Sequence, residues 1–337
     1  MNRGESAVRD GEQFCEDLRA TRGRTLSTDR LRELTTLSSV RSAASVAQTV
    51  IITLVVLGVA LAWLSIWVLL PAVFVIATQQ HAMFVLAHEA AHYRLFPSRR
   101  INDAVGRLLA ALAGLSMCTY RVVHRLHHNH LYDERDPDIA LHGGYPRGRA
   151  YLLRKFSADL LGLTAWKTYR YFLGSPAANA RTGVAQRPLD DTSTALRRAA
   201  QSDRWLVAAV QIGMPLAVTV LFGWRGLAMY LLLWIIPAVT VLQAILRLRA
   251  ICEHGAPPGI DSPLQAARTT IAGPLLRFIM FPHHVNYHIE HHLYPAVPHY
   301  SLPRLHQTLA QSGILNGAEI RSFAATWRRV YAPSLPL

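Results

Sequence analysis

The sequence predicts an all-α, multi-pass membrane protein, with four transmembrane helices in two hairpins beneath a cytoplasmic cap of histidine-rich helices. Three observations predict it. Residues Thr49 to Thr78 carry no charge over thirty positions, more than the roughly 20 apolar residues that one spanning helix needs. A second apolar block runs from Trp205 to Leu246, broken only around Arg225. The 337-residue chain is 51% hydrophobic with a mean hydropathy of +0.18, high for a soluble enzyme. Buried helices of a large soluble core are the alternative, disfavoured by the length of the uncharged block.

The elements follow in chain order. Residues 1–44 are polar and of mixed charge, without a cleavable signal peptide. They read as a cytoplasmic amphipathic segment, for example from Asp29, with Leu31, Leu34 and Leu37 on one side. A membrane domain is expected over residues 45–310, with spans at about 46–63, 65–86, 205–222 and 226–247. The stretch from Ser175 to Asp203 is a polar connector into the third span, and residues 311–337 are a cytoplasmic tail.

The formal net charge is +14, and its placement sets the orientation. The arginines concentrate in the first 45 residues, in 94–204 and after 247, whereas the hairpin turns carry almost none. By the positive-inside tendency, both termini and the long middle segment face the cytoplasm. The basic residues suit anionic lipid headgroups better than nucleic acid, which is not expected as a partner. Cys15, Cys118 and Cys252 form no CxxC pair and fall where disulfides are not expected.

Histidine carries the functional information. The sixteen histidines cluster as HEAAH at 88–92, HRLHH at 124–128, EHG at 253–255 and HIEHH at 288–292. Positions i, i+3 and i+4 return to one helical face, so His288, His291 and His292 are expected to point one way and grip one object. Neutral imidazole is a good ligand for iron, zinc or copper. HxxxH supplies two candidates, the two HxxHH triplets six and His254 a ninth, which is too many for one metal and suits two. A helix from Ser65 reaches His88 after about 34 Å, and one from Leu227 reaches His254 after about 40 Å. Both overrun a hydrocarbon core of roughly 30 Å on the cytoplasmic side, so all four clusters can meet there. HEAAH alone would suggest an HExxH zinc protease, but that leaves seven ligand-like histidines unexplained. A non-catalytic metal-binding or receptor protein is the non-enzyme alternative.

The order HEAAH, "HRLHHNHLYDERDPD" and "NYHIEHHLYPAVPHYSLPRLH" resembles the membrane fatty acid desaturase superfamily, which also holds hydroxylases and carotenoid ketolases. The resemblance covers roughly residues 45–310. It implies two iron ions, O2 as co-substrate, an acyl or other lipid substrate in the membrane, and electrons from a separate ferredoxin or similar protein. It makes His88, His92, His124, His127, His128, His254, His288, His291 and His292 the ligands, and puts Asn286 where a polar residue holds a metal-bound water. Glu89, Asp136, Asp138, Glu253 and Glu290 become carboxylates that orient the rings. His81, two turns before His88, lies on the substrate path or in the core; His130, His142, His283, His284, His299 and His306 match no box. His288 stands where front-end desaturases often have glutamine, and HGGY at 142–145 lacks the HPGG pattern of a fused cytochrome b5 domain. The expected reaction is removal of two hydrogens from an acyl chain, with hydroxylation or ketolation as the alternative.

Overall fold

The computed structural model describes residues 26–132, 136–138, 142–174, 177–178, 185–186, 192–256 and 262–332. The amphipathic segment before residue 26, Cys15, part of the polar connector and residues 333–337 lie outside them.

The described residues are mostly helical. Helix α1 (Thr28–Thr35) leads into α2 (Ser39–Ala62), α3 (Ile66–Ala91), α4 (Arg99–Leu112) and α5 (Met117–Asn129). After α6 (Gly148–Leu160) and α7 (Ala165–Phe172) comes α8 (Thr194–Tyr230), which continues through a π-helical turn at Leu231–Ile235 and a short helix at Ile236–Val239 into α9 (Val241–His254). Strand β1 (Thr269–Ile271), α10 (Pro274–Met280), α11 (His288–Leu293), α12 (Leu302–Gln311), strand β2 (Ile320–Ser322) and α13 (Phe323–Val330) complete the fold. Serines set many helix starts: the hydroxyls of Ser27, Ser38, Ser98, Ser116, Ser193 and Ser322 each accept a backbone N–H of the first turn.

Among the described residues, three helical runs are long and apolar enough to cross a membrane: Thr28–Ala62, Ile66–Ala91 and Thr194–His254. The paired helices α4 and α5 meet that length and hydropathy only when taken together, and they are bent by 97°. The first two expected spans fall within α2 and α3. The third and fourth fall within the single 61-residue run, which reverses at Gly223 (φ 63°, ψ −157°). A Cβ on Gly226 would lie 2.6 Å from the Val218 carbonyl oxygen, whereas eight residues of straight helix span about 12 Å. Glycine makes this turn because it has no Cβ to clash at positive φ.

Solvent exposure of large apolar side chains marks the lipid-facing surface. Leu54, Trp67, Ile212, Val220 and Trp224 are 61, 82, 66, 76 and 80% exposed, a surface that water would not tolerate but hydrocarbon does. Helix α3 changes character along its length: Ile66, Trp67 and Leu70 are exposed, whereas residues 76–91 are buried. Its far end therefore enters the protein. The segment after residue 310 packs inward. Strands β1 and β2 pair in parallel, Thr269 with Ile320, while Trp327 and Val330 join Ile251, Cys252 and Phe281 in one core cluster.

Candidate metal centre

Helix α5 starts at the Ser116 cap and carries HRLHH. At 100° per residue, His127 stands about 60° to one side of His124 and His128 about 40° to the other. That spread is wide enough to serve two targets, and the structure uses it so. His124 and His128 meet His88 and His92 from the end of α3 and His291 from α11, with ligand atoms all within 4.8 Å of one another. The Nε2 atoms lie 2.9 Å apart for His88–His124 and His124–His128, and 3.0 Å for His128–His291. A second group joins His127, His254, His288 and His292. Here the Nε2 distances are 3.2 Å for His127–His254, 2.8 Å for His254–His288 and 3.1 Å for His288–His292.

The three rings of a box thus do not grip one object. Each HxxHH box gives its i, i+4 pair to one cluster and lends its i+3 ring to the other. The exchange is reciprocal, with His127 and His291 trading places. The rings of His128 and His292 stack at 4.2 Å between the two groups, so the clusters are interlocked. All nine histidines singled out in the sequence converge on them.

The donor set fits metal ions. His127 Nδ1 lies 2.9 Å from Asp136 Oδ1 and His254 Nδ1 lies 3.0 Å from the Ala266 carbonyl oxygen. Those acceptors require N–H at Nδ1, so in neutral rings both Nε2 atoms carry lone pairs that face each other at 3.2 Å. Facing lone pairs repel unless a cation lies between them. Burial holds His124, His128, His288, His291 and His292 well below the ordinary imidazole value, leaving their lone pairs free. At His127 burial acts the same way but is outweighed by Asp136, Asp138 and Glu253, which raise it to about 9. The field in the second cluster therefore favours positive charge. An imidazole–metal bond of about 2.1 Å puts adjacent donors about 3.0 Å apart at 90°, the spacing found in both groups.

The carboxylates divide by position. Glu89 Oε1 lies 3.4 Å from His88 Nδ1, and its Oε2 accepts the His299 backbone N–H at 2.9 Å. Asp136 Oδ2 lies 3.2 Å from His142 Nε2 while Oδ1 holds His127. Asp138 is 3.8 Å from His127 Nδ1 and accepts the Tyr171 hydroxyl at 2.6 Å. Glu253 accepts from Arg249 at 2.7 Å and stands 3.6 Å from His288 Nδ1. Glu290, about 200° around α11 from His288, faces away from the clusters and holds Thr269 and His306 at 2.5 Å each. Asn286 donates to the Thr270 carbonyl at 3.1 Å, and its buried Oδ1 has no partner among the described residues. Neither ring nitrogen of His81 has a hydrogen-bond partner among them.

Three histidines outside the boxes stand against these carboxylates. His142 completes a group with His127 and Asp136, His299 steadies Glu89, and His306 steadies Glu290. They reach these partners across loops, so no local spacing marked them. Beside the clusters lies a cavity of about 110 Å³. Phe84, Tyr120 and Phe172 pack edge to face along one wall, and the rings of His127, His254 and His288 form another.

Apolar helices long enough to cross a membrane, closed at one end by nine imidazoles that could hold metal, eight buried and that of His92 half-buried, define a class of histidine-rich membrane protein. Within that class, residues 61–323 match the family model for fatty acid desaturases, and the chain belongs to that family. It is 28% identical to a β-carotene ketolase of Paracoccus sp. (strain PC1) over 67% of this chain and 74% of the ketolase. It is 27% identical to a dihydrorhizobitoxine desaturase of Bradyrhizobium elkanii, covering 77% and 72% of the two chains. A probable fatty acid desaturase of Sorghum bicolor is also 27% identical, with 74% of this chain and 65% of that protein covered.

Proposed function

We propose that the protein is an oxygen-dependent di-iron desaturase that introduces a double bond into a fatty acyl chain at the membrane surface. The observation that carries this reading is the interlocked pair of buried histidine clusters in a chain of the fatty acid desaturase family. His88, His92, His124, His128 and His291 would hold one iron, and His127, His254, His288 and His292 the other. Glu89 and Asp136 fix the Nδ1 sides of His88 and His127 and so aim Nε2 at the metal. When bound, the irons supply the oxidising chemistry that no side chain provides. The balance is –CH2–CH2– plus O2, two electrons and two protons, giving –CH=CH– and two waters. The electrons come from a separate ferredoxin or similar donor. In this reading the chain crosses the membrane four times, through α2, α3 and the two arms that meet at Gly223. Both ends and the histidine clusters lie on the cytoplasmic side, and the aromatic wall of Phe84, Tyr120 and Phe172 receives the chain segment that reacts.

A second reading is ketolation or hydroxylation, in which the same centre delivers an oxygen atom to a carotenoid or other lipid. The β-carotene ketolase relative favours it. Expression in a lipid-rich host followed by mass spectrometry of the extracted lipids separates the two. A product lighter by two hydrogens supports desaturation, and one with an added oxygen supports the second reading. Protein purified without oxygen should carry close to two irons per chain, and His254→Ala should lose iron while still inserting in the membrane. One tightly bound zinc with peptidase activity would overturn both readings.

A further inference from the structure

A second polar cavity, of about 370 Å³, shares no lining residue with the one beside the clusters. It lies where the start of α2 meets α3 and the segment leading into the third histidine box. Arg277, His283, His284 and His299 line it, and Ser45, Thr49 and Gln79 add hydroxyl and amide groups. Among the described residues no aspartate or glutamate lines it, and the Glu89 carboxylate lies behind His299, turned to its Nδ1 at 3.4 Å. The Arg277 side chain makes no hydrogen bond or ion pair with any described residue, and His284 Nδ1 is buried without a partner among them. A basic, donor-rich cavity with no carboxylate in its described lining suits an oxyanion.

The backbone points the same way. His283 and His284 both adopt left-handed conformations, φ 54° and 61°, which side chains larger than glycine rarely take and which concentrate at functional sites. The two successive residues thereby present both rings to the cavity, and Thr49 Oγ1 lies 3.0 Å from His283 Nε2. The neighbouring surface says what kind of oxyanion. In α10, Leu275 and Phe278 are 71 and 37% exposed, and Ile271 just before it is 64% exposed. Arg277 follows on the adjoining face of the same helix, about 100° around from Phe278. A short helix with bare apolar residues beside a cation suits the depth of lipid headgroups.

We propose that this cavity binds the phosphate of a membrane phospholipid, with Arg277 as its counter-charge and His283 and His284 as donors. The site does not depend on which oxidation the histidine clusters perform. Binding to the full-length protein in a phosphate-free neutral detergent is measured by native mass spectrometry, with short-chain phosphatidylglycerol, the matching diacylglycerol and inorganic phosphate as probes. Phosphatidylglycerol should bind about tenfold more tightly than diacylglycerol, the worth of one charge-assisted contact. Inorganic phosphate should compete with it. Arg277→Gln should bring the two lipids to equal affinity. Should that variant not fold, His284→Asn, which tolerates the left-handed backbone, reads the same cavity from its other wall and should weaken phosphatidylglycerol severalfold. Equal binding of the two lipids to the unmodified protein overturns the proposal, as does a preference that survives both substitutions. Inorganic phosphate that binds when the lipid shows no preference overturns the lipid assignment.

Discussion

Asp136 shows how much one side chain adds to the boxes. Its Oδ1 holds His127 at 2.9 Å and its Oδ2 stands 3.2 Å from His142, while the Tyr132 and Asp138 backbone N–H groups fix the carboxylate itself. Burial would raise its pKa, but His127 and His142 outweigh that and hold it well below the usual carboxylate range. Asp136→Asn removes the charge that favours a cation at His127 and leaves one acceptor where there were two. Iron affinity of the second cluster should fall about 10 to 100-fold, with the first cluster still loaded. An anaerobic iron titration of the variant would show one tight site instead of two; two unchanged sites would take Asp136 out of this role. At this scale the ring spacing made the box histidines legible. His142 was not, because its link to Asp136 crosses a loop that has no period.

The elements meet where the histidines need them. Helix α4 packs against the end of α3 through Gly106, where a Cβ would overlap Ala90 Cβ and press on Met117 Sδ at 2.6 Å. Ala90 lies midway between His88 and His92, so this contact sets how the first box presents its rings. Gly106→Val should cost about 1–3 kcal/mol by overpacking and lower both the melting temperature and the iron content. Gly213→Ala in α8, with nothing within 4 Å of the added carbon, is the control and should gain a little from better helix propensity. Equal melting temperatures for the two variants would mean that α4 yields at no cost. Apolar periodicity foretold the helices themselves. The helical rise also foretold that α3 overruns the hydrocarbon and carries His88 out of it, but not that residues 76–91 are all buried inside the protein.

Across the whole molecule, helices α1 and α12 close over the histidine end. Arg30 donates to Thr308 at 2.9 Å, Arg304 pairs with Glu33, and the Ser38 backbone N–H donates to Tyr300 at 2.7 Å. The Leu34 side chain is buried with Ile289, Leu293 and Leu305 beneath the third box. Trp224, 80% exposed, sits at the opposite end beside the Gly223 reversal. Single cysteines at Arg32 and Arg328 should therefore label with a membrane-impermeant maleimide from one face, and a cysteine at Trp224 from the other. Labelling of all three from the same face would exclude a spanning hairpin at Gly223.

The sequence by itself determined the long apolar helices, the break in the second apolar block around Arg225 and eight imidazoles at helical spacing with His254 apart from them, because each is a property of a short stretch of chain. It also carried the resemblance that the family match bears out. Tertiary structure decided which ring serves which cluster. Spacings of three and four bring the rings to one face, but the 100° between His127 and His128 aims them at different targets only once α3, α9 and α11 stand opposite. Tertiary structure also supplied His142, His299 and His306, and placed Glu290 on the far side of its helix. Such partners lie from six to 210 residues apart in the chain. Only folding brings them within a hydrogen bond.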